Sequence, residues 1–305
     1  MHSFSDERIV PANGIELAYQ EMGDPEGEPL LLVMGLGTQM IAWDEGFCGL
    51  LAERGFRVVR FDNRDIGRST KLASAGVPRR ADLMLGRRGS AAYLLSDMAA
   101  DTVGLMDRLG IESAHVVGAS MGGMIAQALA IEHSRRLRSM VSMMSNTGSR
   151  WTGMPSRKAM AILLAKAPRG REEAIERAVK TFRAIGSPGY PFDEERVRGI
   201  SGRSYDRGHS AAGVLRQLHA ITASGDRTRA LRGVRVPTAV IHGNRDPLVR
   251  PAGGRATARA IPNARLKLID GMGHDLPRQL WPVFVEEIAA NAARAPEGAP
   301  AKQPA

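Results

Sequence analysis

A chain of 305 residues with 43% hydrophobic side chains can bury a large core, as one α/β domain or two small ones. Its net charge of +10, from 42 basic and 32 acidic residues, brings nucleic acid into consideration. The basic residues are nearly all arginine, however, and scattered, as at Arg79-Arg80, Arg87-Arg88 and Arg135-Arg136, without an aromatic-studded stripe. One cysteine, Cys48, excludes an intrachain disulfide, no apolar run is long enough to span a bilayer, and no basic-then-apolar leader opens the chain. A cytoplasmic protein with neither a nucleic-acid nor a membrane partner is expected; oligomeric state is not readable.

In chain order, residues 8–22 alternate apolar and polar about Asn13-Gly14, the pattern of a β-hairpin. Leu30-Leu-Leu-Val-Met34 is an unbroken apolar run, as expected of a strand buried on both faces, and Gly35-Leu36-Gly37 ends it. Helical spacing over 43–54 precedes a second strand, Arg57 to Phe61. Next comes a polar loop, Asp62 to Ser69, whose Asp62, Arg64 and Asp65 are expected to fix its geometry. Residues 90–109 read as a helix capped by Ser90 and stopped by Gly110. A strand ending at Val116-Val117 passes through a tight turn into a helix to about His133, and Ser139 to Met144 is another strand.

From 148 to 235 the character changes. Helical segments are predicted near 156–166, 171–185, 193–207 and 211–223, with no convincing strand. The alternation resumes with a strand from Thr238 to His242, a helix near 251–260, a strand from Arg265 to Ile269 and a helix over 279–294. The Pro/Ala-rich residues 296–305 read as disordered. Buried strands alternating with helices predict a mostly parallel sheet, its core at 1–147 and 236–295 interrupted by a helical cap at 148–235.

Three loops at strand ends carry candidate chemistry. Gly118-Ala119-Ser120-Met121-Gly122 is a G-x-S-x-G pattern between a strand and a helix. A strained turn that lifts its serine above the sheet needs near-absent side chains two residues either side, and Gly118 and Gly122 sit there. A serine hydroxyl needs a base, and the base needs a carboxylate to fix its tautomer. In a parallel sheet both must come from the carboxyl ends of later strands. Met144 to Arg150 holds no carboxylate; His242-Gly-Asn-Arg-Asp246 holds one, Asp246; and Asp270-Gly-Met-Gly-His274 presents a histidine. The order Ser120, Asp246, His274 follows.

With Val33-Met-Gly-Leu-Gly37 and Phe61-Asp-Asn-Arg-Asp-Ile-Gly-Arg-Ser69, these motifs resemble the α/β-hydrolase-fold serine hydrolases over residues 8–294, most closely the aclacinomycin methylesterase-like carboxylesterases. The resemblance implies an eight-stranded, mostly parallel sheet flanked by helices with an inserted helical cap. It implies a carboxylic ester hydrolase acting on a small-molecule ester, with no cofactor or metal. Ser120 would be the nucleophile, His274 the general base and acid, Asp246 the orienting carboxylate, and the backbone N–H groups of Leu36 and Met121 the oxyanion hole. Many members begin the oxyanion loop with His-Gly; here it is Met34-Gly35, which keeps the backbone donors and lacks a histidine's bracing hydrogen bonds. C–C hydrolysis, lactone opening or perhydrolysis on the same groups is the alternative.

Other readings compete. Gly35-Leu36-Gly37 with Asp62 imitates a dinucleotide-binding unit, although Met40 stands where its third glycine belongs. A ligand-binding protein on a hydrolase scaffold would lack turnover. His242 with Asp246 suggests a metal pair but has no partner cluster. His209 and His219 are candidate substrate contacts; Met34, Met40 and Trp43 fit either a pocket lining or the core. The arginine content of 148–235 suggests a preference for anionic or polyoxygenated esters.

Overall fold

The computed structural model describes residues 3–163 and 168–296. A hairpin, β1 (Arg8–Ala12) and β2 (Ile15–Met22), is followed by β3 (Glu28–Val33), α1 (Glu45–Ala52), β4 (Phe56–Phe61), α2 (Arg80–Leu85), α3 (Leu95–Arg108), β5 (Ala114–Ala119), α4 (Met121–Glu132) and β6 (Leu137–Met143). Five helices come next: α5 (Arg157–Leu163), α6 (Arg171–Ile185), α7 (Glu194–Arg207), α8 (Ala211–Ser224) and α9 (Thr228–Leu231). The chain closes with β7 (Thr238–Gly243), α10 (Pro251–Ala260), β8 (Arg265–Ile269) and α11 (Trp281–Ala292). The eight strands form one sheet in the order β1-β2-β4-β3-β5-β6-β7-β8, in which β2 alone runs against the other seven.

Side-chain alternation along the central strands divides the core in two. Leu31, Val33 and Val116 point to the face covered by α3 and α4, where Met98, Leu105, Ile125 and Leu129 meet them. Leu30, Leu32 and Val117 point to the opposite face, against Phe47 of α1 and Phe284 and Ile288 of α11. All four of Leu30, Leu31, Leu32 and Val33 are fully buried, which is why β3 reads as an unbroken apolar run. Cys48 is buried in the second cluster, where burial pushes its thiol up to about 12.

Helix boundaries depart from expectation where capping is not local in sequence. Ser90 does not cap α3; it lies in a short 3-10 turn, and the helix starts after Leu94, whose N–H donates to Asp97 Oδ2 (2.7 Å). The side chain three residues inside the helix does the capping, so a serine upstream was a decoy. The six-residue α2 and four-residue α9 are too short for a periodic signal. The predicted helix at 156–166 is α5 as far as Leu163, and its last residues lie outside the described ones, as do 297–305 of the expected disordered tail.

The loop after β4 is a hub of buried charge. Asp65 accepts from both Arg216 nitrogens of α8 (Nε 2.8 Å, Nη2 2.6 Å), from Tyr93 Oη (2.7 Å) and from the Leu72 N–H (2.8 Å). Burial raises the Asp65 carboxyl, but Arg216 and Tyr93 outweigh it and hold it below the usual range. Arg64 grips Asp101 at 2.5 Å, and Asp62 takes Arg207 Nη2 of α7 at 2.8 Å. Removing one partner leaves the other charge buried and alone. Arg216→Met is therefore expected to destabilise the protein by about 3–5 kcal/mol in urea unfolding, with Asp65→Asn in the same chain recovering part of that. A loss below about 1 kcal/mol would show that the pair contributes little beyond a surface ion pair.

Candidate active site

The turn between β5 and α4 places Ser120 at φ 56° and ψ −118°, a conformation that non-glycine residues avoid. Its neighbours explain how it is held. A Cβ on Gly118 would lie 2.1 Å from Gly122 O, and one on Gly122 would lie 2.0 Å from Val33 O. Both contacts are impossible for any side chain, so the pattern read in sequence as room for a tight turn is enforced by backbone. The Ser120 N–H donates to Met143 O of β6 (2.9 Å), tying the strained residue to the next strand. Ser120 keeps partial exposure at the start of the helix.

His274 and Asp246 converge on it from the exits of β8 and β7. His274 Nε2 lies 3.0 Å from Ser120 Oγ, and Nδ1 lies 2.7 Å from Asp246 Oδ2. The other Asp246 oxygen accepts the Leu248 and Val249 N–H groups at 2.8 Å each, which fixes the carboxylate plane. Burial pushes Asp246 up, but His274 and His242 nearby reverse this and hold it at about 2. His274 therefore donates from Nδ1 to an ionised carboxylate and presents Nε2 as an acceptor to the serine hydroxyl.

The histidine loop is stitched to the end of α6. The His274 N–H donates to Ile185 O (2.7 Å), the Gly273 N–H to Ser187 Oγ (2.9 Å), and the Gly189 N–H to Gly271 O (2.9 Å). Ser187 Oγ also hydrogen-bonds Asp275, whose carboxyl is pushed up by burial. Sequence reasoning missed Ser187 because nothing local marks a serine that acts 86 positions away.

Met121 follows Ser120 directly, and Leu36 is next to Gly35 in the β3 exit loop. Met121 is the first residue of α4 and so has no helical acceptor for its N–H. Gly35 brings the β3 exit loop against Ser120, where an added Cβ would lie 3.1 Å from Ser120 Cβ. Among the described residues no acceptor takes the N–H of either Leu36 or Met121.

The competing roles fall elsewhere. Met34, Met40 and Trp43 are buried in the core, Trp43 stacked on Phe47 at 5.8 Å. No α-helix opens after Gly35-Leu36-Gly37, and Asp62 is occupied by Met40 N–H (2.8 Å) and Arg207 rather than free for a ribose. His242 Nε2 donates to Val249 O (2.7 Å), and no group of three or more potential metal ligands occurs among the described residues. His209 stacks on Tyr205. His219 is buried on α8, two residues after Gln217, which accepts from the Gly37 N–H of the β3 exit loop.

With this geometry in hand, the family is clear: the chain matches the alpha/beta hydrolase fold over residues 28–187 and belongs to that family. Rhodomycin D methylesterase DauP of Streptomyces sp. (strain C5) is 28% identical, over 93% of this chain and 97% of that protein. Among solved structures, 2-hydroxy-6-oxo-6-phenylhexa-2,4-dienoate hydrolase from Rhodococcus sp. strain RHA1 superposes with TM-score 0.74 at 19% identity, covering 94% of this chain and 99% of that one. The enol-lactonase from Burkholderia xenovorans LB400 superposes with TM-score 0.70 at 24% identity, covering 94% and 100%. The two structural likenesses establish the fold. No helix among the described residues is long and apolar enough to cross a membrane.

The depressed Asp246 carboxyl makes a pH prediction. Its folded value lies below its ordinary one, so its contribution is fully present above about pH 4 and lost as pH falls through about 2. Urea unfolding of wild type and Asp246→Asn from pH 7 to pH 3 is expected to show a difference of order 2 kcal/mol that shrinks toward the acid end. A difference constant across that range contradicts the assignment.

Proposed function

We propose that the protein is a serine hydrolase of carboxylic esters that works through an acyl-enzyme. The observation that carries this reading is the unbroken hydrogen-bond chain from Ser120 Oγ through His274 to Asp246. His274 Nε2 takes the hydroxyl proton as Ser120 Oγ attacks the ester carbonyl. The developing oxyanion is received by the N–H groups of Leu36 and Met121, each contributing about 10²–10³-fold in rate by analogy with measured oxyanion donors. His274 then protonates the leaving alcohol, and a water activated by the same nitrogen releases the acid and restores the serine. Asp246 stays ionised throughout and stabilises the imidazolium. Neither metal nor cofactor enters these steps.

The helices between β6 and β7 are proposed to form a cap that shapes the substrate pocket. The likeness to a rhodomycin D methylesterase makes methyl esters the substrates to try first. Six arginines of these helices are paired with carboxylates and so do not by themselves argue for an anionic-ester preference. Arg171 pairs with Asp206, Arg183 with Glu194, Arg196 with Asp44, Arg198 with Glu176, and Arg207 and Arg216 with core aspartates.

The test is a substrate panel of short and long acyl esters, aromatic methyl esters, lactones and C–C-cleavable diketones, with fluorophosphonate labelling alongside. Ester turnover and labelling are expected in the wild type and absent in Ser120→Ala, while Asp246→Asn lowers kcat by about 10⁴-fold with its circular dichroism unchanged. Turnover surviving in Ser120→Ala sinks the nucleophile assignment, and faster lactone or C–C cleavage than ester cleavage replaces the ester reading.

A further inference from the structure

We infer that Gln217, on α8 of the cap, is a positioning residue for the oxyanion loop, so that the cap braces the loop's active geometry. The inference rests on the functional reading above and deepens it. The loop makes a β-turn, the Thr38 N–H donating to Gly35 O (3.2 Å), with Gly37 at φ +67° as its third residue. Leu36, the proposed oxyanion donor, is the second. Met34, at the start of the loop, has no strong hydrogen-bonding group with which to brace it.

The bracing comes from outside. Gln217 Oε1 accepts the Gly37 N–H (2.9 Å), which belongs to the peptide linking Leu36 to Gly37. The far side of that peptide, Leu36 O, accepts from Thr38 Oγ1 (3.1 Å). The other end of the same amide, Gln217 Nε2, donates to Arg64 O (2.8 Å), in the loop that also holds Met34 O through Asn63 Nδ2 (3.0 Å). Gln217 is fully buried with both ends engaged, so its orientation is fixed. One helical turn earlier Val214 closes over Gly37, where an added Cβ would lie 3.1 Å from Val214 Cγ2. The peptide next to the proposed donor is thus clamped between its own turn and the cap.

A donor displaced by about 1 Å costs about 10²-fold in the chemical step while leaving ground-state binding nearly untouched. Two variants test this through the second-order rate of Ser120 labelling by a fluorophosphonate and through kcat and KM on whichever ester turns over. Gln217→Met keeps length and volume but loses both hydrogen bonds. It is expected to slow labelling and kcat by about 10²-fold with KM within about threefold of wild type. Gln217→Glu reproduces both bonds only when protonated, its carbonyl oxygen accepting from Gly37 and its hydroxyl donating to Arg64 O. The ratio of its labelling rate to wild type is therefore expected to fall as pH rises. Labelling unchanged in Gln217→Met, or a loss confined to KM, overturns the proposal, as does a lowered melting temperature without a rate effect. Should Gln217→Met fail to fold, a pH-independent ratio for Gln217→Glu overturns it alone. Failure of wild-type Ser120 to label at all sinks the hydrolase reading itself, and labelling without ester turnover leaves this proposal standing while removing the ester assignment.

Discussion

The structure depends most on one backbone compromise, the positive φ of Ser120. Such a conformation costs of order 1–3 kcal/mol and persists only where its surroundings overdetermine it. Here β3, β5 and β6 do so together. Gly118 stands in register with Val33 on one side and Ser142 on the other, and Val33 O closes on Gly122 from across the sheet. The same closure determines where the chain goes next. Because Val33 is pressed against the turn, the segment that follows it, Gly35 to Thr38, must pass beside the Ser120 side chain. The crowding that strains the serine thereby also brings the Gly35 backbone against its side chain.

A second constraint joins the inserted helices to this framework. Asp62, Arg64, Asp65, Asp101 and Arg216 are all nearly inaccessible to water, and each is paired. Buried ion pairs of this kind add little net stability over apolar replacements, because desolvation offsets the attraction. What they supply is discrimination. A docking of α7 and α8 displaced by one residue would leave Asp62 and Asp65 buried without Arg207 and Arg216. Some of the arginine in the composition is internal, as Arg60, Arg64, Arg216 and Arg227 show.

Much of this was legible in sequence, and the boundary of legibility is physical. Strands buried on both faces announce themselves by composition, so β3 to β7 were found with ends shifted by at most two residues, and the exposed edge strand β8 was found at its observed bounds. The elbow was legible because its glycines are enforced by backbone contact within a few residues. Asp246 was reached by exclusion, the exit of β6 offering no carboxylate, and the structure brings it, His274 and Ser120 within hydrogen-bond reach of one another. Leu94 as the start of α3 was not legible, because the Asp97 side chain reaching back, rather than a polar residue ahead, satisfies the helix start. Gln217 and Ser187 were invisible for a stronger reason. Each acts through a contact between residues far apart in sequence, 180 positions for Gln217 and 86 for Ser187, and an uncharged polar residue on an amphipathic helix or in a Gly-Ser-Pro turn carries no signature of its distant partner.

Those two residues change how the inserted helices relate to the chemistry. Ser187, Ile185 and Gly189 hold the loop that carries His274, and Gln217 holds the turn that carries Leu36. These are opposite arms of one segment, between β6 and β7, gripping the two loops that meet over Ser120. Ser120 and Asp246 lie just past the ends of β5 and β7, held by backbone groups of Met143, Leu248 and Val249; His274 and Leu36 sit on loops hydrogen-bonded to the inserted segment. Side chains that differ on α6 and α8 would therefore disturb the His274 loop and the Leu36 turn at the same time. Under the proposed function, substrate selection by the inserted helices and the placement of the proposed base and oxyanion donor would be one mechanical property, set by how those helices seat.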